Sequence, residues 1–114
     1  MNYSHKTEDN IVHFTFEGDL IGENNGPELV ELVGELLDRG VKLCTIDISQ
    51  VRFINSSGIG VMITLLTKFR NKSGDLVLVN PSEQVNKLLI ITKLNAIFTI
   101  VESKEEAIES LTKA

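Results

Sequence analysis

The chain has 114 residues and a mass of 12.6 kDa, enough for one domain with a modest core over residues 1–114 and too little for two. Sixteen acidic against eleven basic residues give a net charge of −5, which argues against binding to nucleic-acid phosphates through clustered cations. No apolar run approaches the roughly 18 residues that span a bilayer, and the N-terminus lacks the apolar centre of a signal peptide, so we expect a soluble protein without membrane insertion.

A strand and a helix are predicted in the first third of the chain. Residues 11–16 alternate apolar and polar side chains, which is the pattern of a half-buried strand. A loop over residues 22–27 precedes an apolar stripe at helical spacing over residues 29–37. Pro27 suits the first turn of this helix, and Gly40 suits its C-terminal cap.

A central strand and a second helix follow. Residues 42–48 form an apolar and β-branched run, and Cys44 within it is expected to be buried. A lone cysteine cannot form an internal disulfide, which fits the cytoplasm. Residues 58–70 predict a helix whose core stripe consists of Ile59, Met62, Ile63, Leu66 and Phe69. Val61 and Leu65 fall beside that stripe, and the outward positions are Gly60, Thr64, Thr67 and Lys68.

The remaining residues continue the alternation. A strand is predicted over residues 75–80, a helix over residues 81–93 and a last strand over residues 97–101. Residues 103–106 read Ser-Lys-Glu-Glu, the pattern of a capping box, and predict a terminal helix. Strands and helices that alternate at these short intervals predict an α/β fold with right-handed crossovers, in which the N-terminal strand is free to pair antiparallel.

Few residues are candidates for catalysis or metal binding. His5 and His13 do not stand at ligand spacing with each other or with Cys44, so no metal site is predicted. Neither serine of the pair Ser56-Ser57 has the glycine two places earlier that a nucleophile elbow requires, and no Gly-Lys-Ser/Thr marks a phosphate loop. We therefore expect no catalytic residue, no cofactor and no metal, and we do not expect an enzyme.

The segment between the central strand and the second helix is the most informative in the chain, and it reads Phe53-Ile54-Asn55-Ser56-Ser57-Gly58-Ile59-Gly60. Its hydroxyls fall at a helix start, where backbone N–H groups lack intrahelical partners. Asn55 or Ser56 is expected to cap the helix, and Gly58 to permit close packing. The same position also tolerates a phosphate, because a helix N-terminus favours negative charge. The residues alone leave both interpretations open, a cap only or a cap with a phosphorylation switch.

Together with other parts of the chain, this segment resembles the bacterial STAS domain of anti-sigma factor antagonists. The resemblance covers essentially the whole chain, and the matching residues are Asp47-Ile48-Ser49, the segment from Phe53 to Gly60, Gly74-Asp75-Leu76-Val77-Leu78, Val85 with Leu88, Ile91-Thr92-Lys93-Leu94 with Phe98, and Glu106-Ala107 with Leu111. It implies a mixed sheet of about four or five strands against about four helices. In that family the unphosphorylated antagonist binds an anti-sigma factor that is also a serine kinase, and so releases the sigma factor. Phosphorylation by the kinase ends the interaction, and a serine phosphatase restores it.

The resemblance assigns the phosphorylated serine to Ser56. Around Ser56 we expect a partner-binding face made of Asn55, Ser56, Ser57, Gly58, Gly60, Val61 and Thr64. The acidic balance and the absence of an obvious large exposed apolar segment lead us to expect a monomer when the protein is free. Two positions depart from the family pattern: Asn55 replaces the usual Asp, and Ile21 replaces an Asp that many members carry after a Gly-x-Leu turn. An alternative therefore stays open, a STAS scaffold or regulatory subunit of a stress-signalling or membrane-transport complex without a phosphorylation cycle.

Overall fold

Five strands form one mixed sheet in the computed structural model, which describes residues 2–113 apart from the side chains of residues 22–24. The strands are β1 (Asn2–Glu8), β2 (Ile11–Leu20), β3 (Leu43–Ile54), β4 (Asp75–Val79) and β5 (Thr99–Val101). They lie across the sheet in chain order, with β1 antiparallel to β2 and the other neighbouring pairs parallel. The expected mixed α/β sheet is confirmed.

Helices cover both faces of the sheet. They are α1 (Gly22–Asp38), α2 (Ser56–Asn71), α3 (Glu83–Ile91) and α4 (Lys104–Thr112), and a 3₁₀ turn spans Leu94–Ala96. Side chains alternate across a strand, so Leu76 and Leu78 of β4 join the large core with α1, α2 and α3. Val77 and Val79 face the other way and pack with Ala107 of α4. No helix among the described residues is long and apolar enough to cross a membrane.

The first helix begins earlier than the sequence indicated. The loop predicted over residues 22–27 is helical, and Pro27 lies inside α1, not in its first turn, so that prediction was wrong. The reason is tertiary packing: a Cβ atom on Gly26 would lie 2.8 Å from Val61 Cγ2, so this glycine lets α1 approach α2 closely and local propensity is overridden. The predicted cap at Gly40 is confirmed, with φ at +89° and its N–H donating to the Leu37 carbonyl at 2.9 Å.

The central strand is longer than predicted and ends at Ile54 instead of residue 48. The register between β2 and β3 shifts twice, after Thr15 and after Gly18, and each shift inserts one extra residue into β3. Burial therefore recurs every third residue beyond Ile48, at Val51 and Ile54, and a search for period two misses this half of the strand. Cys44 is fully buried in β3, as expected.

The core stripe of α2 also differs from the prediction. Its buried residues are Gly58, Met62, Leu65, Leu66 and Phe69. Ile63 was expected in the core and is 36% exposed, whereas Leu65 is completely buried. Ile63 lies about 100° around the helix from Met62, and α2 packs against both the sheet and α1, which moves the buried arc toward Leu65.

Smaller differences occur at the other element ends. The sequence indicated no separate β1, because its exposed residues show no apolar alternation. The helix predicted over residues 81–93 spans Glu83–Ile91, and the last strand begins at Thr99 instead of residue 97. The predicted cap of α4 is confirmed, since Ser103 Oγ accepts the Glu106 N–H at 3.2 Å.

Candidate functional site

The segment singled out in the sequence lies at the carboxyl end of β2 and β3. Leu20 and Ile54, the last residues of these parallel strands, are register partners, and α2 begins at Ser56 immediately beyond them. The Asn55 N–H donates to the Leu20 carbonyl at 3.2 Å, so the turn between strand and helix is fixed to the neighbouring strand. The start of α2 is therefore held at the carboxyl end of β2 and β3 by a backbone hydrogen bond.

Asn55 is the residue that caps α2. Its Oδ1 atom accepts the Gly58 N–H at 2.8 Å and the Ser57 hydroxyl at 2.9 Å. The Asn55 carbonyl also accepts the Ile59 N–H at 2.9 Å, which closes the first helical turn. A cap of this kind contributes about 1 kcal/mol to stability. Of the two candidate caps, the structure uses Asn55 and leaves Ser56 out of this bond.

Gly58 is required by the close approach of α2 to β2. A Cβ atom at this position would lie 2.2 Å from the Leu20 carbonyl oxygen and 3.1 Å from Ile54 Cγ2. Any side chain would therefore collide with backbone that cannot rotate away. The expected close packing at Gly58 is confirmed. Gly58 is buried against the ends of β2 and β3 and does not face solvent.

The two serines have different surroundings. Ser56 is exposed as the first residue of α2, and its hydroxyl makes no hydrogen bond with any residue that the structure describes. Ser57 is half-buried and its hydroxyl donates to Asn55. Of the two hydroxyls, that of Ser56 is therefore the more open to an enzyme or a partner.

The exposed face of α2 continues from Ser56 along the helix. Gly60 and Thr64 are exposed on this side, and the Thr64 hydroxyl donates to the Gly60 carbonyl at 2.9 Å. Val61 is half-buried and turned toward Gly26 of α1. The structure thus brings part of the predicted set to one surface and turns the rest inward: Ser56, Gly60 and Thr64 face solvent, while Gly58 and much of Val61 do not.

Two further residues lie on this face: Thr67, which was predicted to point outward, and Ile63, which was predicted in the core. Ile63 and Thr67 are exposed within about 20° of Ser56 around the helix axis, at offsets of seven and eleven residues. The Thr67 hydroxyl donates to the Ile63 carbonyl at 2.9 Å, which ties the polar group to its own helix. Residues 56–67 contain no charged side chain, although charged residues make up 24% of the chain. The α2 face, defined as Ser56, Gly60, Ile63, Thr64 and Thr67, is uncharged and partly apolar.

An exposed aromatic ring lies beside this helix start. Phe53 is 53% exposed, whereas the other four phenylalanines are at most 3% exposed. Its neighbour Arg52 forms an ion pair with Asp19 of β2 at 3.4 Å. The residue pattern contains no direct signal for the exposure of Phe53, because this exposure depends on the second register shift between β2 and β3.

Other titratable groups lie away from this surface. His13 Nδ1 lies 2.6 Å from Thr45 Oγ1, and partial burial together with Lys104 lowers the pKa of His13. Complete burial raises the pKa of the Cys44 thiol well above its usual value, which makes it unreactive. Among the described residues, no three histidine, cysteine or acidic side chains come together as a metal site.

A small α/β domain whose mixed sheet positions a capped helix start and an exposed serine is found in known proteins. A family model described as "STAS domain" matches residues 2–107. A protein of Thermotoga neapolitana is 32% identical over 77 residues, which cover 68% of each chain. A crystal structure from Thermotoga maritima superposes with a TM-score of 0.86 at 27% identity, covering 97% of this chain and 95% of that one. Both carry the designation "putative anti-sigma factor antagonist".

The fold is also that of SpoIIAA, described as an anti-sigma factor antagonist. Its unphosphorylated form gives a TM-score of 0.83 at 18% identity, covering 99% of this chain and 98% of that one. The phosphorylated form, from Bacillus, gives a TM-score of 0.74 at 18% identity, with coverages of 96% and 98%. At this identity the likeness concerns the fold alone. On the family match and the Thermotoga relative, the chain belongs to the STAS domain family, in the group of the anti-sigma factor antagonists.

Proposed function

We propose that this chain is an anti-sigma factor antagonist that binds an anti-sigma factor with serine kinase activity and is switched off by phosphorylation at Ser56. The observation that carries the proposal is the exposed Ser56 hydroxyl at the start of α2, beside a cap that does not use it. The chain acts by binding and is not itself an enzyme. It works in the cytoplasm as a monomeric domain over residues 1–114, and a serine phosphatase resets it.

The uncharged α2 face suits a partner surface that is desolvated on binding. Thr64 and Thr67 satisfy their own hydroxyls within the helix, so burial leaves neither of them unpaired. Ile63 adds an exposed apolar side chain to the same face. Removing such a face from water costs little, because no charge has to be stripped of its hydration.

The switch is a phosphoryl transfer to Ser56. Ser56 Oγ attacks the γ-phosphorus of ATP held by the kinase, the bond from that phosphorus to the bridging oxygen breaks, and ADP leaves with the electron pair. The hydroxyl proton passes to a base on the kinase. In the reverse direction a water attacks the phosphorus on the phosphatase, which releases inorganic phosphate and returns the serine hydroxyl.

A phosphate on Ser56 changes the surface more than it changes the fold. It adds a charge of roughly −1.5 to −2 to a face without charged residues. Because Asn55 provides the cap, the first turn keeps its hydrogen bonds, and a helix N-terminus favours the added negative charge. Partner binding is then lost through repulsion and the desolvation cost of an anion.

The uncharged residue Asn55 is compatible both with the proposed switch and with the alternative function, a STAS scaffold without a phosphorylation cycle. Asn55 keeps the cap but carries no charge, so recognition of this chain by the kinase cannot depend on a carboxylate at this position. A scaffold without a phosphorylation cycle would also keep the cap and lose the charge. The two functions differ in whether a negative charge at Ser56 changes the set of bound partners.

The test is partner capture from an extract of the source organism with the native chain and the variants Ser56→Ala and Ser56→Asp, with ATP or ADP present. Ser110→Asp is the matched control, since Ser110 is exposed on α4 across the sheet from α2 and gains the same charge. We expect mass spectrometry to find an ATPase of the kinase type on the native, Ser56→Ala and Ser110→Asp proteins and not on Ser56→Asp. Equal retention of other partners by all four proteins would instead identify the scaffold function.

A further inference from the structure

Phe53 is an aromatic side chain that the structure exposes at the carboxyl end of the sheet. Phe53 is 53% exposed, although its neighbour Ile54 in β3 is almost completely buried. Aromatic rings are among the side chains that gain most from leaving water, and in protein interfaces they are the usual anchors. This exposure therefore calls for an explanation beyond the stability of the isolated domain.

The exposure of Phe53 follows from a bulge in β3. Gly18 lies opposite Val51, and Asp19, the next residue of β2, lies opposite Phe53, so that Arg52 is the extra residue. Without this insertion the period of two would place residue 53 on the same face as the buried Val51 and turn residue 54 outward. The bulge instead buries Ile54 and exposes Phe53. Bulges of this kind re-aim side chains next to functional sites.

Phe53 lies close to the proposed phosphorylation site. Three residues of extended chain span at most about 11 Å, so the Cα atoms of Phe53 and Ser56 are no farther apart than that. The Asn55 N–H donates to the Leu20 carbonyl, which holds the intervening residues against the end of β2. A partner that brings a phosphoryl donor to Ser56 therefore has Phe53 within about 11 Å of its target residue, measured between Cα atoms.

The surroundings of Phe53 favour an apolar contact. Arg52 and Asp19 beside it form an ion pair with each other at 3.4 Å, so neither presents an uncompensated charge to a partner. Further along the chain, α2 begins three residues after Phe53 with the uncharged residues 56–67. The ring thus has a neutralised ion pair beside it and an uncharged segment following it, and a partner surface that fits here has an apolar pocket and not a charged one.

We infer that Phe53 is an anchor of the partner interface and inserts into an apolar pocket of the anti-sigma kinase, beside the site where the kinase holds its nucleotide. This inference rests on the proposed function and deepens it, because it adds to the α2 face a residue on the opposite face of the sheet. The interface then extends around the helix start, from the α2 face to the end of β3.

Binding of purified variants to the ATPase recovered by partner capture tests the inference. We expect Phe53→Ala to weaken binding about 30-fold, the size of effect seen for aromatic hot spots, with an unchanged unfolding transition. Ile97→Ala is the matched control: Ile97 is 44% exposed, and its carbonyl contacts Arg70, about 21 Å along α2 from Ser56. Its affinity is expected to stay within about twofold of the native value.

Phe53→Trp adds a direct readout, because the chain contains no tryptophan. We expect its fluorescence to shift to shorter wavelength when the ATPase is added and to return when Ser56 is phosphorylated.

If Ser56→Asp abolishes binding while Phe53→Ala binds like the native chain, the anchor is excluded and the proposed function stands. If no ATPase binds the native chain, the proposed function fails as well. A shift that depends on the concentration of the variant alone would mean that a second copy covers Phe53, which overturns the inference.

Discussion

The carbonyl oxygen of Leu20 occupies the space that a side chain on residue 58 would need, 2.2 Å from the position of a Cβ atom. This contact fixes the distance between the end of β2 and the start of α2. It also makes the geometry of the candidate site depend on one glycine, while Gly60, two residues later, has no atom within 4 Å of its Cβ position.

Substitution of these two glycines is therefore expected to have opposite effects. Gly58→Ala forces a shift of backbone at the end of β2, and we expect a loss of about 2–3 kcal/mol of unfolding free energy. Gly60→Ala adds a methyl group in open space and improves helix propensity, for an expected gain of about 0.5–1 kcal/mol. Urea denaturation of both variants measures the difference. Equal stabilities would contradict the packing described for Gly58.

The cap at Asn55 predicts a graded response to substitution. Asn55→Ala removes the acceptor of the Gly58 N–H and Ser57 hydroxyl bonds, and we expect a loss of about 1 kcal/mol. Asn55→Asp keeps the acceptor and places a negative charge at the helix N-terminus, for an expected gain of about 0.3–1 kcal/mol over the native chain. Thermal and urea unfolding of both variants provide the measurement. A loss of stability in Asn55→Asp would show that the amide nitrogen has a structural role.

Ser56→Asp separates the switch from the cap. Since Ser56 takes no part in the cap, we expect the unfolding free energy of this variant to stay within about 0.5 kcal/mol of the native value or to exceed it slightly. Ser110→Asp lies near the C-terminal end of α4, where a negative charge is unfavourable, and we expect a small loss of up to about 0.5 kcal/mol. A large loss in Ser56→Asp would favour the cap-only interpretation of the segment.

The sequence predicts local features of this site better than those that depend on packing. The Asn55 cap follows from residue chemistry over one helical turn, and it is observed. Close packing at Gly58 was also expected, but the atom that excludes a side chain there, the Leu20 carbonyl oxygen, is known only from the structure. The exposure of Phe53 depends on the bulge of β3 against β2. The exposure of Ile63 depends on the packing of α2 against α1. Such relationships join residues far apart in the chain, so a periodic pattern in one element does not contain them.

The early start of α1 has the same physical origin. Residues 22–27 contain glycines, asparagines and a proline, a composition that favours a loop, yet they are helical against α2. The missing side chain of Gly26 is what allows Val61 to approach. Glycine weakens an isolated helix, but Gly26 is the residue that permits the contact between α1 and α2.

His13 gives a prediction for the dependence of stability on pH. Burial is the main cause of its lowered pKa, Lys104 and Lys6 add to the effect, and Glu8 opposes it. As the pH falls below the ordinary histidine pKa of 6.5, His13 is therefore protonated more readily in the unfolded chain than in the folded chain. The contribution of His13 to stability is complete above that value and decreases as the pH falls below it.

His13→Gln is the matched variant for this prediction, because glutamine is uncharged throughout and can still bond to Thr45. We expect urea denaturation between pH 7 and pH 5 to show a steeper loss of stability for the native chain than for His13→Gln. An NMR titration of the His13 ring is expected to give a midpoint below 6.5. Parallel pH profiles for the two proteins would contradict the prediction, because they would mean that His13 takes up its proton equally in the folded and unfolded states.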